Sequence, residues 1–205
     1  GCDVGHHAPS GVSLAVLLMG LACLFAIRLR RRLVLVVVLL ALCGPAAMAT
    51  TIRRLPLVRM GASADVVGQG TVSSSVVVEI GGRVYTDTVL VVADCWQGPC
   101  GKALTIRRLG GEAEGKGVAV EGGAELAVGD EVVVFLRARK DGRFAVVGMA
   151  QGAFRVVRGP AGRIAHLARD VSRLRFHEAD GSLVDGVGER LSFEEVRAAV
   201  GDARK

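Results

Sequence analysis

The chain has 205 residues, of which 51% are hydrophobic and only 4% aromatic, so valine, leucine, alanine and glycine carry its apolar character. This length allows one ordinary domain with additional segments. Basic residues exceed acidic ones by 26 to 20, but beyond residue 49 the excess is 22 to 19. The remaining arginines are scattered and have no aromatic residues between them, which excludes a concentrated basic face, so we expect no nucleic-acid partner.

Two apolar segments separated by arginines open the chain. Residues 11–27 carry no charge and precede Arg28 and the consecutive arginines 30–32. Seventeen such residues span a slightly thinned bilayer, and the positive-inside rule then places the arginines in the cytoplasm. The ten apolar residues 33–42 are too few for a span but fit the h-region of a signal peptide. We expect residues 11–42 to contact the membrane before processing.

Small residues follow the h-region. Ala47 and Ala49 form an A-x-A pattern, which predicts a signal-peptide segment over residues 33–49 with cleavage after Ala49. One alternative is lipidation of Cys43, although Leu42 is not the small residue that a lipoprotein signal requires. The other is an uncleaved anchor. All three predict an extracytoplasmic location for the rest of the chain, whether it is membrane-anchored, periplasmic or secreted.

Residues 1–32 combine a polar leader carrying Cys2, an uncharged segment and an arginine cluster. This order resembles the tripartite C-terminal sorting signal of myxobacterial surface proteins (MYXO-CTERM). The resemblance implies a transmembrane segment, processing at Cys2 and partners in the export and sorting machinery. Because 173 residues follow a signal of a type that ends other proteins, we interpret it as a junction made by gene fusion or an over-extended reading frame. The alternative is a two-helix membrane hairpin.

From residue 50 the pattern changes to short β-type segments separated by glycine. Asp141-Gly142 between two apolar segments favours a tight hairpin turn. Five or six short strands predict a mainly β domain over residues 50–158, a small antiparallel barrel or sandwich. The strands are predicted at residues 64–73, 84–93, 103–109, 131–138, 144–149 and 153–158.

The last part of the chain differs from this β pattern. Residues 159–190 are rich in glycine and arginine and are predicted to be an irregular connection. Residues 191–205 predict a C-terminal amphipathic helix, with Ser192 as the N-cap and Glu195 completing a capping box. The apolar side that would dock on the β domain consists of Phe193, Val196 and Val200.

Residues 49–200 also resemble a family of exported bacterial proteins of uncharacterised function. The stretches that carry the resemblance are "SADVVGQGTV", "VYTDTVLVV", "VGDEVVVFLRARKDGRFAVVGMAQGAFRV" and "LSFEEVRAAV". The arrangement is similar to the OB-like barrel of netrin and metalloproteinase-inhibitor modules. This analogy implies an OB-like barrel but no function.

Cys95 and Cys100 are the only cysteines beyond the signal region. The four residues between them include Gly98 and Pro99, which can bend the chain enough to join the sulfurs in an oxidising exterior. A redox centre favours C-x-x-C spacing, and a zinc site needs further ligands nearby. The pattern therefore predicts a structural disulfide, with no metal and no cofactor.

The candidate binding surface comprises Trp96, Lys116 and the surrounding segment 110–123. Trp96 is either an exposed anchor for a ligand or a lid over the barrel end, and we favour the lid. Residues 110–117 approximate a phosphate-binding loop, but Gly117 replaces the required hydroxyl residue and a strand-like alternation follows. We interpret that segment as a flexible strand connection.

No catalytic residue is assigned from the sequence, and whether the chain is an enzyme stays open, with a non-enzymatic role favoured. We expect an exported or envelope-associated binding or structural β module for an unknown envelope or extracellular ligand. The alternatives are a secreted enzyme with a dispersed site and an inhibitor-like module directed at a secreted protease. A deep pocket lined by two or more of four side chains would favour the enzyme. They are Asp87, Asp94, His166 and His177.

Overall fold

A computed structural model describes residues 50–113, 116–118, 120–178 and 180–203, and isolated positions among the first 49. The chain divides into two compact units, Gly1–Ala47 and Met48–Lys205. Most of the predicted signal segments, and the processing residues Cys2, Ala47 and Ala49, lie outside the described residues. Among the residues described, no helix combines the length and hydropathy needed to cross a membrane.

The second unit is mainly β, which confirms the predicted fold class. Its described residues form strands β1 to β13, helices α1 and α2, and one 3-10 helix at Met149–Gly152. The helices are α1 (Leu57–Ser63) and α2 (Phe193–Asp202). The strands are β1 (Thr50–Arg53), β2 (Val66–Ile80), β3 (Arg83–Gln97), β4 (Ala103–Leu109), β5 (Gly111–Ala113), β6 (Lys116–Val118), β7 (Glu131–Ala138), β8 (Phe144–Val146), β9 (Ala153–Arg158), β10 (Ile164–Asp170), β11 (Leu174–His177), β12 (Leu183–Asp185) and β13 (Gly188–Leu191).

The described strands form one large sheet and two small ones. The large sheet has the order β13-β10-β9-β7-β2-β3-β4-β8, and β7 pairs additionally with β8. The strands β2, β3, β4, β8 and β7 therefore form a closed ring of pairings, which we call the ring. Between β4 and β8 the ring closes through one parallel pair, Ile106 with Phe144. The likeness to an OB-like barrel stays a prediction.

Strand β7 is buried on both faces. Its residues Val132, Val134 and Leu136 belong to the core inside the ring. Val133 and Phe135 point to the opposite face, into an outer core covered by the two helices. A strand that is covered on both sides can consist of consecutive apolar residues, because neither face has to be polar. This accounts for the uninterrupted sequence VVVFL.

The two helices cover the outer core. Helix α2 begins after Ser192, whose Oγ accepts a hydrogen bond from the Glu195 amide at 3.0 Å, so the predicted helix and N-cap are confirmed. Its residues Val196 and Val200 are buried. Helix α1 was not predicted from the sequence. A Cβ added at Gly61 in α1 would lie 2.8 Å from the Ala203 Cβ, so glycine permits the close approach of the helices.

The predicted irregular connection over residues 159–190 is wrong. Strands β10, β11 and β12 lie within it, and β10 pairs with both β9 and β13. Arg169 in β10 is buried, which its charge alone would not suggest. Its guanidinium binds the Glu189 carboxylate, so a charged pair occupies a position where sequence patterns favour an apolar residue.

Beyond the ring, β2 and β3 continue as a two-stranded arm joined by Gly81 and Gly82. Both glycines have positive φ, +57° and +71°, as a two-residue hairpin of the I′ type requires. The β5–β6 hairpin packs on one face of this arm. A Cβ on Gly111 would lie 2.6 Å from Thr86 Oγ1 and 3.1 Å from the Val77 side chain, so only glycine fits there.

Candidate functional site

A cleft of about 390 Å³ lies between the β5–β6 hairpin and the segment 120–125. This volume falls within the usual range of small-molecule sites. Much of its wall comes from the predicted contact segment 110–123. The lining includes Thr86, Arg108, Gly111, Gly117, Val118 and Glu121.

The alternation of strand β4 places Arg108 in this cleft. Leu104 and Ile106 are buried inside the ring, and Arg108 follows on the same face two residues later. Arg108 pairs in register with Thr86 of β3. The hydroxyl of Thr86 donates a hydrogen bond to the Gly110 carbonyl at 2.7 Å. The inward-facing side chains therefore change from apolar to polar where β3 and β4 reach the cleft.

The guanidinium of Arg108 is only partly satisfied. Its Nη1 donates a hydrogen bond to the Ala124 carbonyl at 2.6 Å. Its Nε is buried and has no hydrogen-bond partner within the described part of the chain. Burial lowers the pKa of Arg108, and the negative charge of Glu125 opposes that shift in part. The group is a partly desolvated cation in the wall of an open cleft.

The neighbouring Arg107 lies on the opposite face and is fully paired. Its Nε and Nη2 donate to the two carboxylate oxygens of Asp87 at 2.7 and 2.6 Å. Arg143 donates to the same carboxylate at 2.9 Å. The hydrogen bond from Arg107 is the main reason why the pKa of Asp87 is lowered. Because Asp87 and Arg107 are register partners on β3 and β4, this cluster ties the strands together outside the cleft.

The predicted disulfide pair is present, with Cys95 exposed and Cys100 buried, and the neighbouring Trp96 side chain packs into the outer core. The sulfurs of Cys95 and Cys100 lie 2.05 Å apart. Trp96 is only 8% exposed, its ring meets the Phe193 ring of α2 edge-on at 5.2 Å, and its Nε1 donates to Asp94 at 3.1 Å. Trp96 is therefore core packing under helix α2 and is not available as an exposed anchor. Its packing partners are those of the outer core.

The loop between the two cysteines lies flat against the domain. A Cβ on Gly98 would stand 2.0 Å from the Asp65 carbonyl oxygen. The Gln97 side-chain amide donates to the carbonyls of Gly61 and Ala64 at 3.1 and 2.7 Å. An inhibitor needs a rigid loop that protrudes, so this packing removes the feature on which the inhibitor alternative rests.

The remaining sequence candidates are dispersed. Lys116 lies in β6, which pairs antiparallel with β5, so the segment resembling a phosphate-binding loop folds as a hairpin. His166 lies on β10 and His177 on β11. The cleft and a second described cavity of about 50 Å³ between residues 122–125 and β10 include none of the four side chains that would favour an enzyme.

Sequence reasoning missed Arg108. The sequence feature that points to it is the pair of adjacent arginines near the end of a predicted strand. Side chains alternate between the two faces of a strand, so one of the two arginines faces inward and the other outward. The sequence does not say which of the two finds a carboxylate. That depends on Asp87, which reaches Arg107 only through the pairing of β3 with β4.

Comparison with known proteins adds no relative to these observations. No protein-family model matches the chain, and neither does any curated protein or solved structure. The resemblances described from the sequence stay predictions. The site is therefore interpreted from its own geometry.

Proposed function

We propose that the chain is an exported or envelope-associated module that binds a ligand in the β5–β6 cleft and catalyses no reaction. The observation that supports this most is the contrast between the ring and the cleft. The interior of the ring is filled by its own side chains, among them Leu90, Ile106 and Leu136. The cleft beside it is open and has the size of a ligand site.

The lining of the cleft favours binding over catalysis. Thr86 has the one hydroxyl in the described lining, and it donates to a main-chain carbonyl. The titratable groups of that lining are the arginines Arg108 and Arg173 and the carboxylates Glu121 and Glu125. An arginine stays protonated and cannot act as a general base near neutral pH, and the carboxylate of Glu125 is held in an ion pair with Arg173 at 2.8 Å. These groups suit recognition of a polar ligand.

The extracytoplasmic location rests on the cysteines and on the predicted signal segment. A cysteine pair at disulfide distance is consistent with an oxidising compartment, because thiols in the cytosol are kept reduced. Export would place the domain in such a compartment. Trapping of free thiols in intact cells, followed by mass spectrometry, tests this: Cys95 and Cys100 should escape alkylation until a reductant is added. Alkylation without a reductant would contradict export.

Ligand binding is tested by NMR of the full chain in mild detergent with a mixture of small polar fragments. Amide shifts should concentrate at Thr86, Arg108 and Val118. Gly117→Phe should abolish them, because Gly117 lines the cleft and open space beside it leaves room for a bulky ring. The matched control is Gly188→Phe, which also meets open space but lies on β13. Shifts that survive Gly117→Phe, or that show no clustering, contradict the proposal.

The enzyme alternative has a separate outcome in the same experiment. Chemical conversion of a bound fragment, lost in Asp94→Asn or His166→Gln, would show that a dispersed site operates. Under the present proposal each fragment that binds is recovered unchanged.

A further inference from the structure

Arg108 differs from the other arginines that are withdrawn from solvent. Arg107 and Arg169 are both buried, and each donates at least two hydrogen bonds to one carboxylate. Arg108 forms no ion pair with any residue that the structure describes, and its recorded hydrogen bond goes to the carbonyl of Ala124. Its Nε is buried and unpaired. A partly buried cation without an anion is unfavourable. An anionic partner that binds from outside the chain would explain why Arg108 has no carboxylate of its own.

The nearest candidate counter-charge is already engaged. Glu125 acts on Arg108 through its charge, but its carboxylate is 2.8 Å from a guanidinium nitrogen of Arg173. The side chains of this second pair are 61% and 66% exposed, so water screens them strongly. Glu125 therefore compensates Arg108 only weakly.

We propose that the cleft binds a ligand bearing a carboxylate, and that the guanidinium of Arg108 holds this carboxylate. The inference rests on the proposed function, because it assigns a ligand chemistry to the same cleft. Guanidinium and carboxylate groups form charge-assisted hydrogen bonds, which are stronger than those between neutral groups. The ligand would supply to Arg108 what Asp87 supplies to Arg107.

The charges around the cleft favour a single negative charge over a phosphate. Arg108 and Arg173 are balanced by Glu121 and Glu125 among the described lining residues. A balanced set of charges offers a phosphate dianion no net attraction, whereas taking two charges out of water costs more than taking one. Gly117 lines the cleft and has open space beside it, which leaves room for the rest of the ligand.

The test is calorimetric titration of the full chain in mild detergent with N-acetylglycine and with N-acetylglycinamide. The two probes differ only in the carboxylate. N-acetylglycine should bind at least about tenfold more tightly, because charge-assisted hydrogen bonds exceed neutral ones. Acetylated triglycine and its C-terminal amide separate the two sources of this chemistry. Tighter binding of the triglycine acid indicates a peptide C-terminus, whereas tighter binding of N-acetylglycine indicates a small free acid.

Variants assign the effect to Arg108. Arg108→Gln should weaken binding of N-acetylglycine by at least about tenfold and leave binding of the amide unchanged. The control Arg158→Gln removes an exposed arginine that pairs with Glu131 outside the cleft, and it should change neither affinity. Equal binding of acid and amide, tighter binding of inorganic phosphate, absence of binding at millimolar concentrations, or an unaffected Arg108→Gln variant would each overturn the inference.

Stability separates a binding role from a structural one. Because Arg108 lacks a carboxylate, Arg108→Gln should leave the thermal midpoint unchanged or raise it, whereas Arg107→Gln should lower it by leaving Asp87 without its main partner. Equal losses in both variants would mean that Arg108 is structural and would overturn the inference. The proposed function has its own refutation. It fails if no fragment binds in the cleft, or if Gly117→Phe does not block the binding. If fragments bind in the cleft but the binding does not depend on Arg108, only the assignment of a carboxylate ligand is refuted.

Discussion

The docking of helix α2 on the outer core gives a quantitative prediction through Val196. This side chain is fully buried and packs in the same core as Trp96 and Phe135. Val196→Ala removes two methyl groups, which forfeits about 1.6 kcal/mol of transfer free energy. The void left behind adds about 1 kcal/mol. The better helix propensity of alanine returns about 0.5 kcal/mol. We expect a net loss of about 2 kcal/mol in the free energy of unfolding.

Urea denaturation monitored by fluorescence measures this loss, because Trp96 is the one tryptophan in the chain and lies against α2. Val128→Ala is the matched control. It makes the same chemical change at a side chain that is 61% exposed, so its effect should stay within about 0.5 kcal/mol. Equal shifts of the denaturation midpoint in the two variants would refute the placement of α2 on the core.

Three further predictions concern the sheet, its ion pair and its disulfide. Gly70→Ala should destabilise by at least about 3 kcal/mol, because the added Cβ would stand 2.2 Å from the Val91 carbonyl oxygen. Asp87→Asn should lose about 2 kcal/mol at neutral pH, because the buried Arg107 would lose its two-pronged carboxylate partner and keep only Asp141, at 3.2 Å. Reduction of the Cys95–Cys100 disulfide should lower the free energy of unfolding by about 2 kcal/mol. Urea denaturation checks all three.

The ion pair also makes a pH prediction with a definite sign. The pKa of Asp87 is lowered in the folded state, chiefly by its hydrogen bond from Arg107. Its contribution is therefore present above the unfolded pKa of about 3.9 and disappears as the pH falls through the folded value. The stability difference between the unsubstituted chain and Asp87→Asn should shrink as the pH falls below about 4. A difference that does not change with pH would contradict the ion pair.

Two controls make the other predictions specific. Gly188→Ala meets open space, so it should change stability by no more than about 0.5 kcal/mol, in contrast to Gly70→Ala. If both glycine variants behave alike, the close approach of β2 and β3 at Gly70 is wrong. For the disulfide, a Cys95→Ala/Cys100→Ala variant should match the reduced chain and should not respond to reductant.

Local patterns predicted the elements whose burial follows a simple rule. The strands 103–109, 131–138 and 153–158 agree with β4, β7 and β9. Helix α2 follows from its N-cap and apolar spacing. Except for Arg107 in β4, their buried side chains are apolar and the turn or cap residues lie nearby in sequence, so a short window contains the information.

The errors arise where distant residues determine burial. Arg169 is buried because Glu189, on the neighbouring strand β13, neutralises it, and no window around β10 reveals this pair. Trp96 is buried because Phe193 packs against it from a helix almost one hundred residues later. The closing pair of Ile106 with Phe144 also joins residues that no short window contains together. Tertiary contacts of this kind override local propensity.

The candidate site shows the same limit. Arg107 and Arg108 are adjacent and chemically identical, and only strand pairing gives one of them Asp87 and leaves the other facing the cleft. The sequence indicated the segment 110–123 as a candidate surface, and part of it lines the cleft. The sequence did not identify Arg108 beside this segment, because Asp87, the partner that distinguishes the two arginines, lies on β3.

The most direct test of this account is ¹⁵N NMR of the arginine side chains during titration with N-acetylglycine. The guanidinium resonance of Arg108 should shift and saturate with the carboxylate, and it should not respond to the amide. The resonances of Arg107 and Arg169, which already hold carboxylates, should stay in place. A silent Arg108, or equal shifts of all three, would contradict the account.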